Sequence, residues 1–273
     1  MVEISRTVRF CLTDRPPAAG AAEPARHNTF SAWPPLRGLD RFYQLEVTCA
    51  GRPDEQTGYL VNISHIDSAV RRLALPLFQA ALAHGGAEEV PLGHLLRAIA
   101  SALGPELGPD FRRLKLLLTP FFSLTLQSHD MDQLTIRQQF EFAAAHRLHV
   151  PDFSAAENLR TFGKCNNPAG HGHNYRLEVA VRGPIDATGR VVSAETIDAT
   201  VDRAVIQPLD HKHLNLDVPH FAHLNPSVEN ITRTIYDWLQ PPFAAQGLTL
   251  EEVRVWETEK TVCTYRGPQD GPR

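Results

Sequence analysis

The chain has 273 residues, of which 42% are hydrophobic, and a net charge of −4 at pH 7. This charge and a pI near 6.3 leave no basic surface of the kind that nucleic acids and anionic membranes need. No apolar run approaches the roughly 18 residues of a transmembrane helix, and the N-terminus lacks a signal-peptide pattern, so we expect a cytoplasmic protein.

The length predicts two domains, and the sequence indicates that they are copies of one unit. At one constant offset, identical residues pair as Phe10 with Phe142, Gly38 with Gly170, and Tyr43, Leu45, Glu46 and Val47 with Tyr175, Leu177, Glu178 and Val179. Each copy reads as three strands, two helices and a last strand. We therefore predict an α+β fold of two units, each an antiparallel four-stranded sheet with two helices on one face.

The first copy has helical spacing around Ile66 to Leu77 and Leu92 to Leu103, followed by one apolar strand over residues 114–126. A small-residue loop covers residues 18–25, and the polar segment 128–133 joins the copies.

In the second copy, alternating residues predict a strand over 176–183, a turn, and a short return strand from Val191. Helices are predicted over residues 193–209 and from about Pro226 to Leu239, the second capped by Ser227. A single alternating strand over residues 253–267 closes the copy.

Three histidines in the second copy have the spacing of a catalytic metal site. His171 and His173 alternate along a strand and so point to the same face, while His146 ends the alternation of Phe140 and Phe142. Three neutral imidazoles without a fourth protein ligand are typical of a zinc ion with one open position. Cys165 is near enough in sequence to act at that site.

The first copy lacks these groups at the same offset. Asp14, Leu39 and Arg41 stand where the second copy has its three histidines, and Trp33 replaces Cys165. We therefore expect a metal site in the second copy alone.

The segments ENLRTFGKCNNPAGHGHNY, LDHKHLNLDVP and WETEKTVCTYRG resemble the 6-pyruvoyltetrahydropterin synthases, which share the tunnelling fold (T-fold) with the 6-carboxytetrahydropterin synthases. The resemblance implies a catalytic T-fold domain over residues 134–268 and a degenerate T-fold unit over residues 1–130. It also implies a zinc-dependent lyase of tetrahydrobiopterin biosynthesis, which converts 7,8-dihydroneopterin triphosphate to 6-pyruvoyl-tetrahydropterin with loss of triphosphate. No further cofactor is implied.

The resemblance also assigns roles to single residues. His146, His171 and His173 would bind zinc, Cys165 would be the general base, and Asp210 with His211 would complete a proton relay. Glu257 would anchor the pterin ring with help from Thr258, and Glu229 would also contact substrate, although Ser227 and Val228 precede it where the family often has two threonines. His213 has no assigned role, and Cys11, Cys49 and Cys263 are read as packing residues.

Two other functions stay open. The 6-carboxytetrahydropterin synthases of queuosine biosynthesis use the same substrate, but commonly have three residues between the cysteine and the HGH, whereas five separate Cys165 from His171. A non-catalytic pterin- or metal-binding assembly protein is the third reading, and it is preferred for the first copy alone. The family also implies a homo-oligomer, a trimer of tandem units or larger, with active sites between subunits.

Overall fold

The computed structural model describes residues 1–12, 30, 32–36, 38–85 and 90–268, so the loop predicted at residues 18–25 lies outside the described residues. The chain divides into two compact units. The N-terminal unit comprises Met1–Ile136 and Pro184–Val191, and the C-terminal unit comprises Arg137–Gly183 and Val192–Arg273. None of the described helices is both long enough and apolar enough to cross a bilayer.

In the described part of the N-terminal unit, four complete strands pair in chain order, with three helices between the second and third strands. The strands are β1 (Val2–Leu12), β2 (Arg41–Gly51), β3 (Phe111–Thr119) and β4 (Phe122–Gln127). The helices are α1 (Ile63–Ala69), α2 (Leu75–Gly85) and α3 (Leu92–Leu107), and a π-helical turn joins α1 to α2. All the pairings from β1 to β4 are antiparallel.

The core of this unit is formed by the side chains on one face of the strands and one face of the helices. Alternate residues of the strands, such as Leu45, Val47 and Leu114, are completely buried, as are Ile66 and Leu96 on the helices. A period of two on a strand and 3.6 on a helix brings these side chains to one interface.

In the C-terminal unit, two long strands also precede the main helices and two strands follow them, but a short helix separates the first two strands and a two-residue strand lies among the later helices. Its strands are β5 (Asp130–His146, which begins in the N-terminal unit), β6 (His171–Pro184), β7 (Lys212–His213), β8 (Thr249–Thr258) and β9 (Thr261–Tyr265). Its helices are α4 (Ala155–Phe162), α5 (Ala194–Val201), α6 (Gln207–Leu209), α7 (Leu214–Asp217) and α8 (Val228–Ala245). The neighbours in the sheet run β5, β6, β8, β9, and the short β7 pairs with β5 in parallel.

Three strand predictions were wrong. Residues 191–193 form no return strand, because Asp186 closes a turn onto Thr188 and Arg190, and Ser193 then caps α5 by accepting a hydrogen bond from the backbone N–H of Thr196. The last segment of each copy is a hairpin instead of one strand, β3 with β4 and β8 with β9.

Both hairpins turn at a threonine. The hydroxyl of Thr119 accepts from the backbone N–H of Phe121 at 3.1 Å, and that of Thr258 accepts from Lys260 at 3.2 Å. Such side-chain turns replace one ladder hydrogen bond, and an alternating pattern does not reveal them. Each unit still contains four main strands because the predicted return strand is absent.

The helix predictions for the C-terminal unit were closer. Helical structure runs from Ala194 to Leu209, with a π-helical turn between α5 and α6. Ser227 caps α8 as predicted, but α8 continues past Leu239 and through two prolines to Ala245. Phe243 is completely buried in this extension, and its packing against the core outweighs the loss of backbone donors at the prolines.

Candidate active site

Three histidines converge at the ends of two neighbouring strands. His146 is the last residue of β5 and is completely buried, and His171 and His173 lie on one face at the start of β6. One ring nitrogen from each lies within 4.8 Å of the other two, and the Nε2 atoms of His146 and His171 are 3.1 Å apart. The three side chains, which we call the histidine cluster, could hold a metal ion.

The tautomer of His146 suits a metal ligand. Its Nδ1 donates a hydrogen bond to the carbonyl oxygen of Pro226 at 2.7 Å, immediately before the Ser227 cap of α8. The proton of the neutral ring is therefore on Nδ1, and the Nε2 lone pair points into the cluster.

Burial keeps two rings of the cluster neutral. It is the main cause that lowers the pKa of His146 to about 4; the Pro226 carbonyl opposes it, and repulsion from the neighbouring imidazoles adds to it. Burial likewise lowers the pKa of His171. Near pH 7 these two rings are neutral, so a metal ion does not have to displace a second ring proton from either.

Two ring nitrogens of the cluster are buried without a hydrogen-bond partner among the described residues: Nδ1 of His171 and Nε2 of His173. An unpaired buried polar atom costs about 1–3 kcal/mol. A metal ion bound by Nε2 would remove that cost at His173.

Glu257, the predicted anchor of the pterin ring, lies directly beside the histidine cluster. Its Oε1 is 3.5 Å from Nε2 of His146 and 3.8 Å from Nε2 of His173. With the lowered pKa of His146, the first contact is not an ion pair near neutral pH. The carboxylate therefore faces the side on which the imidazoles present their lone pairs.

Asp210 and His211 form the predicted pair just beyond the end of α6. Nδ1 of His211 lies 2.7 Å from Oδ2 of Asp210, and the other carboxylate oxygen accepts from the backbone N–H of Ala143 at 2.8 Å. These two hydrogen bonds lower the pKa of Asp210, that of Ala143 having the larger effect. His211 has a φ of 56°, which is uncommon outside glycine and turns its side chain out from the helix end.

His211 and one member of the histidine cluster, His173, line the same open cavity of about 510 Å³. His173 lies on one side of it, and His211, Lys212 and His213 lie on the other. The proposed relay and a cluster ligand therefore face the same volume.

Cys165 is partly buried in the single 3₁₀ turn that follows α4. Its carbonyl oxygen accepts from the backbone N–H of Leu148, two residues after His146. Burial first, and then electrostatic interaction with Glu257 and Cys165, raises the pKa of the buried Tyr175 hydroxyl. The ring centroid of Tyr175 is 5.6 Å from that of His173.

In the described part of the chain, the other two predicted substrate contacts, Glu229 and Thr258, make no direct contact of this kind with the histidine cluster. Glu229 is exposed in the first turn of α8, and Thr258 closes the β8–β9 turn. Within the described residues, neither is hydrogen-bonded to the histidine cluster.

The sequence reading missed His213 and Gly170. Gly170 has a φ of +73°, and a Cβ there would lie 2.6 Å from Nε2 of His213 and 3.0 Å from the carbonyl oxygen of His146. Only glycine permits this close approach of the segment before His171 to the end of β5. His213 is therefore part of the wall of the site.

The matching positions of the N-terminal unit carry no comparable site. Leu39 is fully exposed, and Trp33 and Arg41 supply no usual metal donor, while Asp14 lies outside the described residues. At the offset that pairs the copies, Phe78 stands where the second copy has Asp210, or Gln79 does if the pairing shifts by one residue; Phe78 packs on Phe10 at a ring-centroid distance of 5.1 Å.

Comparison with known proteins places the site in a known family. The family model for 6-pyruvoyl tetrahydropterin synthase matches residues 135–268. The human 6-pyruvoyl tetrahydrobiopterin synthase is 43% identical over 136 residues, which are 50% of this chain and 92% of the relative. The 6-carboxy-5,6,7,8-tetrahydropterin synthase of Haemophilus influenzae is 26% identical over 152 residues, covering 48% of this chain and 97% of the relative.

A solved structure is similar to part of this chain. The 6-pyruvoyl tetrahydropterin synthase of Caenorhabditis elegans is 36% identical, covers 50% of this chain and 96% of its own, and has a TM-score of 0.47.

Proposed function

Because the chain belongs to the 6-pyruvoyl tetrahydropterin synthase family, we propose that its C-terminal unit is a zinc-dependent lyase that converts 7,8-dihydroneopterin triphosphate to 6-pyruvoyl-tetrahydropterin with loss of triphosphate. The observation that carries the proposal is the histidine cluster, which lies inside the matched region and presents neutral nitrogens to one point.

The donor set fits zinc. Two nitrogens that bind one tetrahedral zinc at about 2.0–2.1 Å are roughly 3.3 Å apart, close to the 3.1 Å between the Nε2 atoms of His146 and His171. The Pro226 carbonyl orients His146 as a neighbouring acceptor commonly orients a zinc-bound histidine. When bound, zinc would polarise the side-chain hydroxyl oxygens of the substrate and acidify the adjacent C–H bonds.

Cys165 is the proposed general base. A thiol near a cation is more readily deprotonated, and the thiolate can then accept a proton from a substrate side-chain carbon. The backbone hydrogen bond from Leu148 fixes the turn that carries this thiol relative to His146.

Asp210 and His211 are the proposed proton relay. The carboxylate accepts from Nδ1 of His211 and so leaves Nε2 free to exchange a proton with substrate. Because the Ala143 N–H holds the second oxygen of Asp210, the pair is fixed to β5, three residues before His146.

Glu257 is the proposed pterin anchor. A carboxylate can accept two parallel hydrogen bonds from the ring N–H and exocyclic amino group of a pterin, as it does from guanidinium. Glu257 is directed towards the histidine cluster, so a pterin ring bound to it would lie next to that cluster. The hydroxyl groups on the side chain of the pterin could then reach the histidine cluster. Thr258 and Glu229 remain proposed substrate contacts.

The alternative product is that of the 6-carboxytetrahydropterin synthases. Two observations favour the pyruvoyl product: the higher identity to the human pyruvoyl enzyme, and the five residues between Cys165 and His171. For the N-terminal unit we propose an assembly role without chemistry, in a homo-oligomer of tandem T-fold units. The cytoplasmic location expected from the sequence stays a prediction.

Product analysis tests the proposal. Zinc-loaded protein is incubated with 7,8-dihydroneopterin triphosphate, and pterins, triphosphate and acetaldehyde are measured. Triphosphate with 6-pyruvoyl-tetrahydropterin and no acetaldehyde is expected. Acetaldehyde would establish the carboxy reaction instead, and unchanged substrate would refute the enzyme proposal.

A further inference from the structure

Four asparagines hold the four residues that follow His146. Residues 147–150 lie outside any helix or strand, so their backbone groups need partners other than a sheet ladder. An asparagine side chain is hydrogen-bonded to each of them. From residue 147 to residue 150, these partners are Asn215, Asn166, Asn225 and Asn158. We call these four side chains the asparagine frame.

Asn215 connects the relay segment to the residue after His146. Its Oδ1 accepts from the backbone N–H of Arg147 at 2.8 Å, and its Nδ2 donates to the Arg147 carbonyl at 3.0 Å. This pair of hydrogen bonds is what a neighbouring strand would supply. It extends the parallel pairing of β7 with β5, so it fixes the register of His211 relative to His146.

Asn166 connects the proposed base to the same segment. While Leu148 donates its N–H to the carbonyl of Cys165 at 2.8 Å, Nδ2 of Asn166 donates to the carbonyl of Leu148 at 2.7 Å. The same amide lies 3.0 Å from Nδ1 of His149. The turn that carries Cys165 is thus held at both backbone groups of Leu148.

The last two asparagines complete the frame. Asn225 accepts from the N–H of His149 at 3.1 Å and precedes Pro226, the carbonyl of which orients His146. Asn158 makes both backbone bonds to Val150 at 2.9 Å and is completely buried on α4, an element without proposed reacting groups.

We propose that Asn166 and Asn215 are positioning residues, which set the distances from the metal ligand His146 to Cys165 and to the Asp210–His211 pair. The inference rests on the proposed function for those side chains. Proton transfer needs reacting atoms within about 3–3.5 Å, and a displacement of about 1 Å can reduce the rate on the order of 100-fold. Asn158 has the same chemistry and binds the same segment, but among the described residues its side chain makes no hydrogen bond to the Cys165 turn or to the Asp210–His211 pair.

The test compares Asn166→Ala and Asn215→Ala with the matched control Asn158→Ala. Turnover, zinc content and the alkylation rate of Cys165 are measured on the folded full-length chain, with alkylation resolved by site. Asn215→Asp keeps the acceptor for Arg147 and loses the donor, so it should fall between wild type and alanine. Gln246→Ala, which removes an amide bonded to Thr200, is the control if Asn158→Ala does not fold.

Both alanine variants should lose roughly 10- to 100-fold in kcat with KM changed by less than about threefold and zinc retained. Asn166→Ala should also change the alkylation rate of Cys165 at least about threefold, and Asn215→Ala should not. Asn158→Ala should lower thermal stability and leave kcat per folded molecule within about twofold. Wild-type kcat and alkylation in Asn166→Ala, or an equal loss of kcat in the control, would overturn the inference.

Alkylation needs no turnover. A wild-type chain that is inert towards the substrate would therefore refute the proposed function, while the alkylation rates would still decide whether Asn166 positions Cys165.

Discussion

Replacement of Gly170 by alanine should disturb the candidate site through the backbone. Gly170 precedes His171 and has a φ of +73°. A Cβ there would lie 2.6 Å from Nε2 of His213 and 3.0 Å from the carbonyl oxygen of His146. The imidazole can turn away, but the His146 carbonyl belongs to the end of β5 and cannot move without its side chain.

The expected cost has two parts. Placing a non-glycine residue in the left-handed region costs about 1–2 kcal/mol, and the smaller entropy of the unfolded alanine chain offsets about 0.4–1 kcal/mol of it. Overpacking adds about 1–3 kcal/mol. Gly170→Ala should therefore lower the free energy of unfolding by about 1–5 kcal/mol.

Gly247 provides the matched control. Its φ is +74°, and nothing beyond its adjoining residues lies within 4 Å of the position that a Cβ would take, so Gly247→Ala should cost only the backbone part, about 1 kcal/mol. Urea denaturation measures both variants, and zinc titration measures the site. Equal losses of stability, or unchanged zinc affinity in Gly170→Ala, would refute the steric argument.

Three further predictions concern single side chains. In metal-free protein His146 is neutral when folded, with its pKa lowered to about 4 from 6.5, so the unfolded chain binds more protons between these values. The contribution of neutral His146 to the free energy of unfolding should be complete above about pH 6.5 and should fall by up to about 3 kcal/mol as the pH is lowered towards 4. Urea denaturation at several pH values should show this dependence in the wild type and not in His146→Asn. Glu257→Gln should keep one zinc and raise KM at least about tenfold, since one strong acceptor is lost; zinc loss would make Glu257 a metal ligand. Cys165→Ser should lower kcat by about 100-fold or more with zinc retained, and unchanged turnover would exclude it as the base.

Much of the histidine cluster could be predicted because strand periodicity fixes which side chains share a face. His171 and His173 had to point the same way once β6 was recognised, and the pattern ending at His146 placed that residue on the same side of the neighbouring strand. The contact of Asp210 with His211 also follows from sequence neighbours at a helix end.

The remaining features depend on contacts that no periodic pattern records. The asparagine frame joins residues that are far apart in the chain, such as Arg147 and Asn215, and asparagine is equally common in ordinary turns. His213 reads as an ordinary histidine in the sequence, and only the close approach of Gly170 to its Nε2 and to the His146 carbonyl shows it in the wall of the site. One signal was available: Gly38 and Gly170 match between the copies, and both have positive φ.

The extents of the last strands were mispredicted for a related reason. Apolar residues continue through the turn after Thr119 and resume directly beyond the turn after Thr258, so each segment reads as one strand. The turns form because a threonine hydroxyl captures a backbone N–H two residues later, which is a local bond that competes with strand extension.

Zinc-dependent release of triphosphate tests the central claim most directly. Chelator-treated protein is titrated with zinc in the presence of 7,8-dihydroneopterin triphosphate, and inorganic triphosphate is measured at each step. Release should be absent without metal, rise in proportion to zinc and saturate at one zinc per chain, because the three ligands come from the C-terminal unit. Full release from metal-free protein, or saturation at two zinc ions per chain, would contradict a single zinc-dependent site.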